Sequence, residues 1–230
     1  MLKDLTDHRR LASIASGGTS DEPVYAAFLR LILTYDLGGA VLDYGAGAGV
    51  LTERLWSLGR FTSITGVDLM TRPTGMPQDV NWVSCDLNEP TPLSTAAYDV
   101  IVAPEIIEHL ENPRAVIREW FRLLKCGGTL ALSTPNNESW RALIALIFRG
   151  HFVSFGDANY PAHITALLRR DIARMLQEAG FAPPRFSFTD HGGFPKLPSL
   201  TWQTLSAGVL RGLRYSDNLL AVAAKPQGSS

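Results

Sequence analysis

Apolar residues fall along this chain in two alternating patterns. Short runs rich in β-branched, aliphatic or aromatic residues recur at residues 40–43, 63–67, 81–84, 99–103, 129–133, 184–189 and 219–224, and each predicts a strand. Between them, apolar positions recur at helical spacing over 24–35, 49–58, 113–124, 139–148 and 170–179. The first helix has Asp21 as a candidate N-cap and Pro23 in its first turn. The third opens on Pro113 and is expected to end at Gly127-Gly128, and Gly180 closes the fifth. Residues 99–103, Asp-Val-Ile-Val-Ala, read as a strand buried on both faces in the middle of a sheet. Residues 192–215 carry turn residues and then a helical patch around 202–210. Strands that alternate with helices in this way predict an α/β fold: a doubly wound, mostly parallel sheet of seven strands with helices on both faces.

The first strand runs into Val41-Leu42-Asp43-Tyr44-Gly45-Ala46-Gly47-Ala48-Gly49-Val50. Glycines at such a turn let backbone approach a ligand closely, and the helix that follows offers free N–H donors. A dinucleotide fingerprint, G-x-G-x-x-G, requires glycine at position 50, where this chain has Val50; the spacing is G-x-G-x-G. The second strand ends in Gly66-Val67-Asp68, which puts Asp68 at its C-terminal tip. A carboxylate there can accept both hydroxyls of a ribose. Asp86 and Leu87 follow the third strand, and the fourth leads into Pro104-Glu105-Ile106-Ile107-Glu108-His109-Leu110.

Taken with Leu123-Leu124-Lys125-Cys126-Gly127-Gly128-Thr129-Leu130 and Ser133-Thr134-Pro135-Asn136, these stretches resemble the class I S-adenosylmethionine-dependent methyltransferases. Within that class they are similar to the branch of ubiquinone-pathway and natural-product O-methyltransferases. The resemblance runs from about Val41 to Pro135 and continues weakly through His163 and residues 170–181; Cys126 stands where the family usually has proline. It implies a Rossmann-like sheet whose last strand is antiparallel, with S-adenosylmethionine as cofactor. It also implies that Asp43, Gly45, Ala46, Gly47 and Gly49 hold the aminocarboxypropyl end, and that Asp68 with Leu69 holds the ribose. Asp86 would receive the adenine amino group with Leu87 packed beside it, and Pro104 and Glu105 would border the cofactor. A single domain over 1–230 is expected: an N-terminal helical segment (1–39), a cofactor half (40–135), a substrate half (136–225) and a disordered tail (226–230).

Methyl transfer from a sulfonium is an in-line displacement, so the protein must supply position and, for a hydroxyl acceptor, one base. Histidine suits that task because it titrates near neutrality. His163, in Asn159-Tyr160-Pro161-Ala162-His163-Ile164, resembles a family histidine that enters the mouth of the site, and is the first candidate. His109 lies one turn beyond Glu105 and is expected to support the loop or act directly. His8 reads as solvated; His151 and His191 border loops over the same face. A magnesium site of Asp157, His163 and another histidine would need more carboxylates than that segment offers, so no metal is expected.

Composition narrows the partners. A hydrophobic content of 46% supports a buried core, and a formal net charge of −1 gives no field to draw nucleic acid or anionic lipid. The D/N-P-P-F/Y tetrad of nucleic-acid amino-methylation is absent after the fourth strand, where the chain reads Ala103-Pro104-Glu105-Ile106. Arg9-Arg10 and Arg169-Arg170 read as solvated helix faces. Cys85 and Cys126 match no metal-ligand spacing and fit a reduced, cytoplasmic protein. The first ten residues hold no apolar run, so no secretory signal is expected, and no stretch approaches the ~20 apolar residues of a membrane span. The expected partner is a small-molecule acceptor, with no nucleic acid, no stable membrane insertion and room for a homodimer. Residues 140–163 and 192–215, rich in Phe, Trp, Tyr and Leu, are candidates both for an apolar pocket and for core. A hydroxyl acceptor leads. The competing readings are an N- or C-methyltransferase, a catalytically silent S-adenosylmethionine-binding regulatory module, and a nicotinamide oxidoreductase, the last disfavoured by Val50.

Overall fold

The computed structural model of the chain describes Arg9, Leu11 and residues 17–195 and 197–228. His8, Arg10 and Ser229-Ser230 lie outside the described residues. Along the chain, α1 (Glu22–Thr34) is followed by β1 (Gly39–Tyr44), α2 (Val50–Ser57), β2 (Phe61–Asp68), β3 (Val80–Ser84) and β4 (Tyr98–Ala103). A 3-10 turn (Ile107–His109), α3 (Pro113–Leu123), β5 (Leu124–Pro135), α4 (Trp140–Arg149) and α5 (Arg169–Ala179) come next. β6 (Arg185–Phe188), a hairpin of β7 (Gly193–Phe194) and β8 (Leu197–Thr201), the single turn α6 (Trp202–Leu205) and β9 (Asn218–Ala224) complete it.

The main sheet has seven strands in the order β3-β2-β1-β4-β5-β9-β6. The first five are mutually parallel, and β9 runs antiparallel to both β5 and β6. Successive side chains of each central strand feed opposite cores. Leu42, Tyr44, Ile101 and Ala103 pack with Trp120 of α3 and Ile172 and Leu176 of α5. Their neighbours Val41, Val100 and Val102 pack with Phe28 and Ile32 of α1 and with Leu51 and Leu55 of α2. This period of two across a sheet buried on both faces is why the strands read as continuous apolar runs. Each large apolar side chain so buried contributes roughly 1.5–3 kcal/mol.

Strand order reverses between β1 and β4. In a doubly wound sheet a ligand crevice opens there, outside the C-terminal ends of the strands. The glycine loop leaves β1 at that edge and the Glu105 segment leaves β4 beside it.

Two expectations need correction. The third helix ends at Leu123 and β5 begins at Leu124 with no intervening turn, so Gly127-Gly128 do not cap it. They fall in an irregular start of β5, where pairing with β4 jumps from Tyr98↔Leu124 to Val100↔Thr129 and the intervening residues bulge. The helical patch around 202–210 is one turn, Trp202–Leu205, and the segment before it folds as the β7–β8 hairpin. Asp21 does occupy the N-cap position of α1, although its side chain makes no capping bond.

Candidate active site

The glycine loop is shaped by close approach on two sides. Gly45 has φ +81°, and a Cβ there would stand 2.6 Å from Ile106 on the loop after β4. Gly47 has φ +52°, and a Cβ there would strike the carbonyl of Gly18. Gly18 in turn accepts a hydrogen bond from the Ala48 amide at 2.8 Å. Gly49, also left-handed, closes the turn as the residue preceding α2 and faces Met76 and Pro73.

Two carboxylates sit beneath this loop. Asp68 Oδ2 accepts the Gly47 amide at 2.8 Å, and Oδ1 accepts the Met70 amide at 2.8 Å. Burial raises its pKa, opposed by those amides. Asp43 is fully buried: Oδ2 accepts the Thr52 hydroxyl at 2.6 Å, while Oδ1 has no partner. Burial pushes its pKa up to about 7.

The loop after β4 carries the third group of polar residues. Glu105 is held at φ +44°, a region that costs a non-glycine residue of order 1–3 kcal/mol. Its amide donates to Ser133, and its Oε1 accepts the Asn218 side-chain amide at 2.5 Å. Burial raises the Glu105 pKa, and that of Glu108 still more. Glu108 is fully buried, with Oε2 accepting from Thr134 at 3.0 Å and Oε1 left without a partner. Its backbone carbonyl accepts the amides of Ile164 and Thr165, both at 3.0 Å, which hangs the His163 loop from the Glu108 turn.

His109 and His163 meet edge to face, ring centroids 4.7 Å apart. Nδ1 of His109 donates to the Ala162 carbonyl at 2.8 Å, and Nδ1 of His163 to the Ser154 carbonyl at 2.7 Å. Burial and the neighbouring His163 lower the His109 pKa to about 4; burial lowers that of His163 as well. Both imidazoles are therefore neutral at physiological pH. One ligand atom from each of Glu108, His109 and His163 lies within 4.8 Å of the other two.

One cavity of about 360 Å³ runs past the glycine loop, Asp43, Asp68, Glu105 and the two histidines. Of the residues singled out in the sequence, Asp43, Gly45, Ala46, Gly47, Asp68, Leu69, Asp86, Leu87, Pro104, Glu105, His109 and His163 line it; Gly49 stands behind the loop. His151, His191 and Asp157 do not line it. Tyr25, Ser20 and Arg9 also line it, without having been singled out as site residues, and Glu108 lies behind it against the histidines. Glu108 carried a usable signal: Glu105, Glu108 and His109 stand at i, i+3 and i+4, which brings ligand-type side chains to one side of a single turn. The reading of Arg9 as solvated is corrected. Its guanidinium binds Asp86, Glu89 and Glu111.

Comparison with known proteins places this geometry. The model of the methyltransferase domain matches residues 20–183. A ubiquinone biosynthesis O-methyltransferase of Dechloromonas aromatica is 26% identical over 186 residues, covering 77% of this chain and 79% of that protein. One from Xanthomonas oryzae pv. oryzae is 31% identical over 166 residues, covering 62% and 69%. Among solved structures, a SAM-dependent methyltransferase from Archaeoglobus fulgidus superposes with a TM-score of 0.64 at 19% identity, covering 91% of this chain and 96% of its own. The N-methyltransferase NodS from Bradyrhizobium japonicum, solved with S-adenosylhomocysteine, gives 0.55 at 19% identity, with 88% and 86% covered. The chain belongs to the methyltransferase domain family, Rossmann-like enzymes that draw their methyl group from S-adenosylmethionine. No helix among the described residues is long and apolar enough to cross a membrane.

Proposed function

We propose that this chain moves a methyl group from S-adenosylmethionine to a hydroxyl of a small-molecule acceptor. The observation that carries the reading is a single cavity joining the glycine loop and Asp68 to the His109–His163 pair. Its cofactor end fits the donor. Asp43 Oδ1 is a buried acceptor without a partner, which suits an ammonium group. Each Asp68 oxygen accepts one backbone amide and keeps a lone pair, which suits two ribose hydroxyls. Asp86 and Leu87 take the adenine; Gly45, Ala46 and Gly47 bring backbone against the aminocarboxypropyl group, and Leu69 and Pro104 close around it.

Bound S-adenosylmethionine supplies a methyl group on a positively charged sulfur. Asp43, Asp68 and Glu105 surround the site with carboxylates, which favours a cationic donor. At the other end His163, unprotonated at neutral pH, accepts the proton of the acceptor hydroxyl. His109 buttresses it through the ring contact and holds its loop through Ala162. The curated relatives named as O-methyltransferases support a hydroxyl as acceptor. The fold does not choose the atom, since NodS is an N-methyltransferase. Calorimetry with S-adenosylmethionine, S-adenosylhomocysteine and NAD, followed by labelled-methyl transfer to a panel of phenols, sugars and amines, tests this. Binding of NAD alone, or label on amines only, overturns it.

Glu108 favours a second reading of the acceptor end. Its buried carboxylate has one oxygen without a partner and offers an oxygen within 4.8 Å of ring nitrogens of His109 and His163, a donor set that suits a divalent cation. Sequence spacing pointed away from metal because it looked to Asp157, whereas the carboxylate brought to the histidines is Glu108. A cation held by these three residues would supply Lewis acidity, which would lower the pKa of an acceptor hydroxyl so that solvent could take its proton. Stripping with a chelator and adding back zinc or magnesium, in the wild type and in Glu108→Gln, decides between them. Turnover indifferent to the chelator leaves the histidine reading standing.

A further inference from the structure

Arg9 uses its whole donor fork. Nε and Nη2 donate to Glu111 Oε1 and Oε2 at 2.9 and 2.7 Å, a bidentate pair, while Nη1 reaches Asp86 Oδ2 at 2.8 Å and Glu89 Oε1 at 3.2 Å. Its acceptors stand on two separate loops: Asp86 and Glu89 follow β3, and Glu111 follows the 3-10 turn after β4. The same loops are joined once more by the Glu111 amide, which donates to Asn88 at 2.8 Å. Arg9, Asp86, Asn88 and Glu111 all line the cavity at its Leu87 end, where Arg9 is the only Lys or Arg among the described lining residues.

We propose that Arg9 is a positioning residue for the nucleoside: a clasp that ties the β3 and β4 loops together and holds the Asp86 carboxylate in place for the base. The inference rests on the assignment of Asp86 to the adenine end. Asp86 Oδ1 is turned by the Asn88 amides and Oδ2 by Arg9, so both of its oxygens are oriented before a ligand arrives. Without the guanidinium, the carboxylates of Asp86, Glu89 and Glu111 would face one another uncompensated, with the Glu111–Asn88 bond left to hold the two loops against their like charge. The clasp is also breakable. The Arg9 side chain is 18% exposed, but those of Glu111 and Glu89 are 44% and 64% exposed, so water and salt can compete for them.

The test is S-adenosylhomocysteine binding and donor kinetics with the full chain, comparing wild type, Arg9→Ala, Arg9→Lys and Glu111→Gln. Wild type should bind; its failure to bind would sink the cofactor reading itself and is a separate outcome. Arg9→Ala should weaken binding roughly tenfold or more and raise KM for the donor by a similar factor, with kcat at saturating donor nearly unchanged. Arg9→Lys should recover only part, because a point charge cannot span two loops as a planar fork does. Raising salt should weaken wild-type binding towards the Arg9→Ala level and barely move the variant. Wild-type affinity in Arg9→Ala overturns the proposal. So does equal loss of kcat and melting temperature with KM unmoved, which would mark a purely structural arginine.

Discussion

The backbone amide of Gly47 donates to Oδ2 of Asp68 at 2.8 Å, so the glycine loop and the carboxylate at the tip of β2 form one hydrogen-bonded unit. Truncating the carboxylate releases the loop and, on the proposed reading of the site, removes the ribose acceptor with it. Asp68→Ala should weaken S-adenosylhomocysteine binding by about 2–4 kcal/mol, the range for losing one partner of a buried charged hydrogen bond. Calorimetry measures it. Unchanged affinity in a folded variant removes Asp68 from the donor site.

Gly47 and Gly59 separate strain from close approach. Both have positive φ, but a Cβ at Gly59 meets nothing within 4 Å, whereas one at Gly47 strikes the Gly18 carbonyl. Gly59→Ala should cost about 1 kcal/mol of stability and leave binding alone. Gly47→Val should abolish binding, because the loop must move off Gly18 to accept it. Normal binding by a folded Gly47→Val protein would reduce the loop to a plain turn.

Asp43 predicts a pH dependence. Burial raises its pKa from the ordinary 3.8 to about 7, so the folded chain holds this proton where the unfolded chain has lost it. The stabilisation this gives is full in acid and drains away as pH rises from about 4 to about 7. Affinity for the cationic donor should move the opposite way, rising by up to about tenfold per pH unit towards pH 7 and levelling above. In Asp43→Asn both slopes should flatten. Titrations of melting temperature and donor affinity against pH check this, and an unaltered affinity slope in the variant assigns it to another group.

The two histidines can be ranked by mutation. His163→Ala should lower single-turnover methylation by about 10²–10⁴-fold with donor affinity nearly unchanged, the usual effect of losing a general base. His109→Ala should do less directly, acting through the Ala162 contact that seats the His163 loop. A large loss in the His109 variant with a normal rate in the His163 variant reverses the assignment.

Much of this site could be read in the sequence because its residues are fixed by strand ends. Asp43, Asp68 and Glu105 each follow a short apolar run, and the strand period alone carries them to one edge of the sheet. Cavity residues that arrive through long-range packing left no such trace. Arg9 sits in a polar segment whose acceptors lie 77 to 102 residues away, and an Arg-Arg pair looks the same whether solvated or clasped. The spacing of Glu108 to Glu105 and His109 was there to read, but only the fold shows that Thr134 and the His163 loop pack against it. The β7–β8 hairpin is hard to read because its strands are short and Gly192, Gly193, Pro195 and Pro198 give the segment the composition of a turn, although edge strands tolerate proline.

β9 enters the sheet out of chain order, between β5 and β6. As the chain leaves the ribosome, its first 135 residues already contain the five parallel strands, but the outer edge of β5 from Thr129 to Pro135 then has no partner. β6 emerges next and has nowhere to pair until residues 218–224 arrive. Such an edge is a template for intermolecular pairing during synthesis. β9 also delivers Asn218 to Glu105, so its insertion both seals the edge and steadies a residue that lines the cavity. One strand thus removes the aggregation hazard and braces the loop that carries Glu105 in a single step.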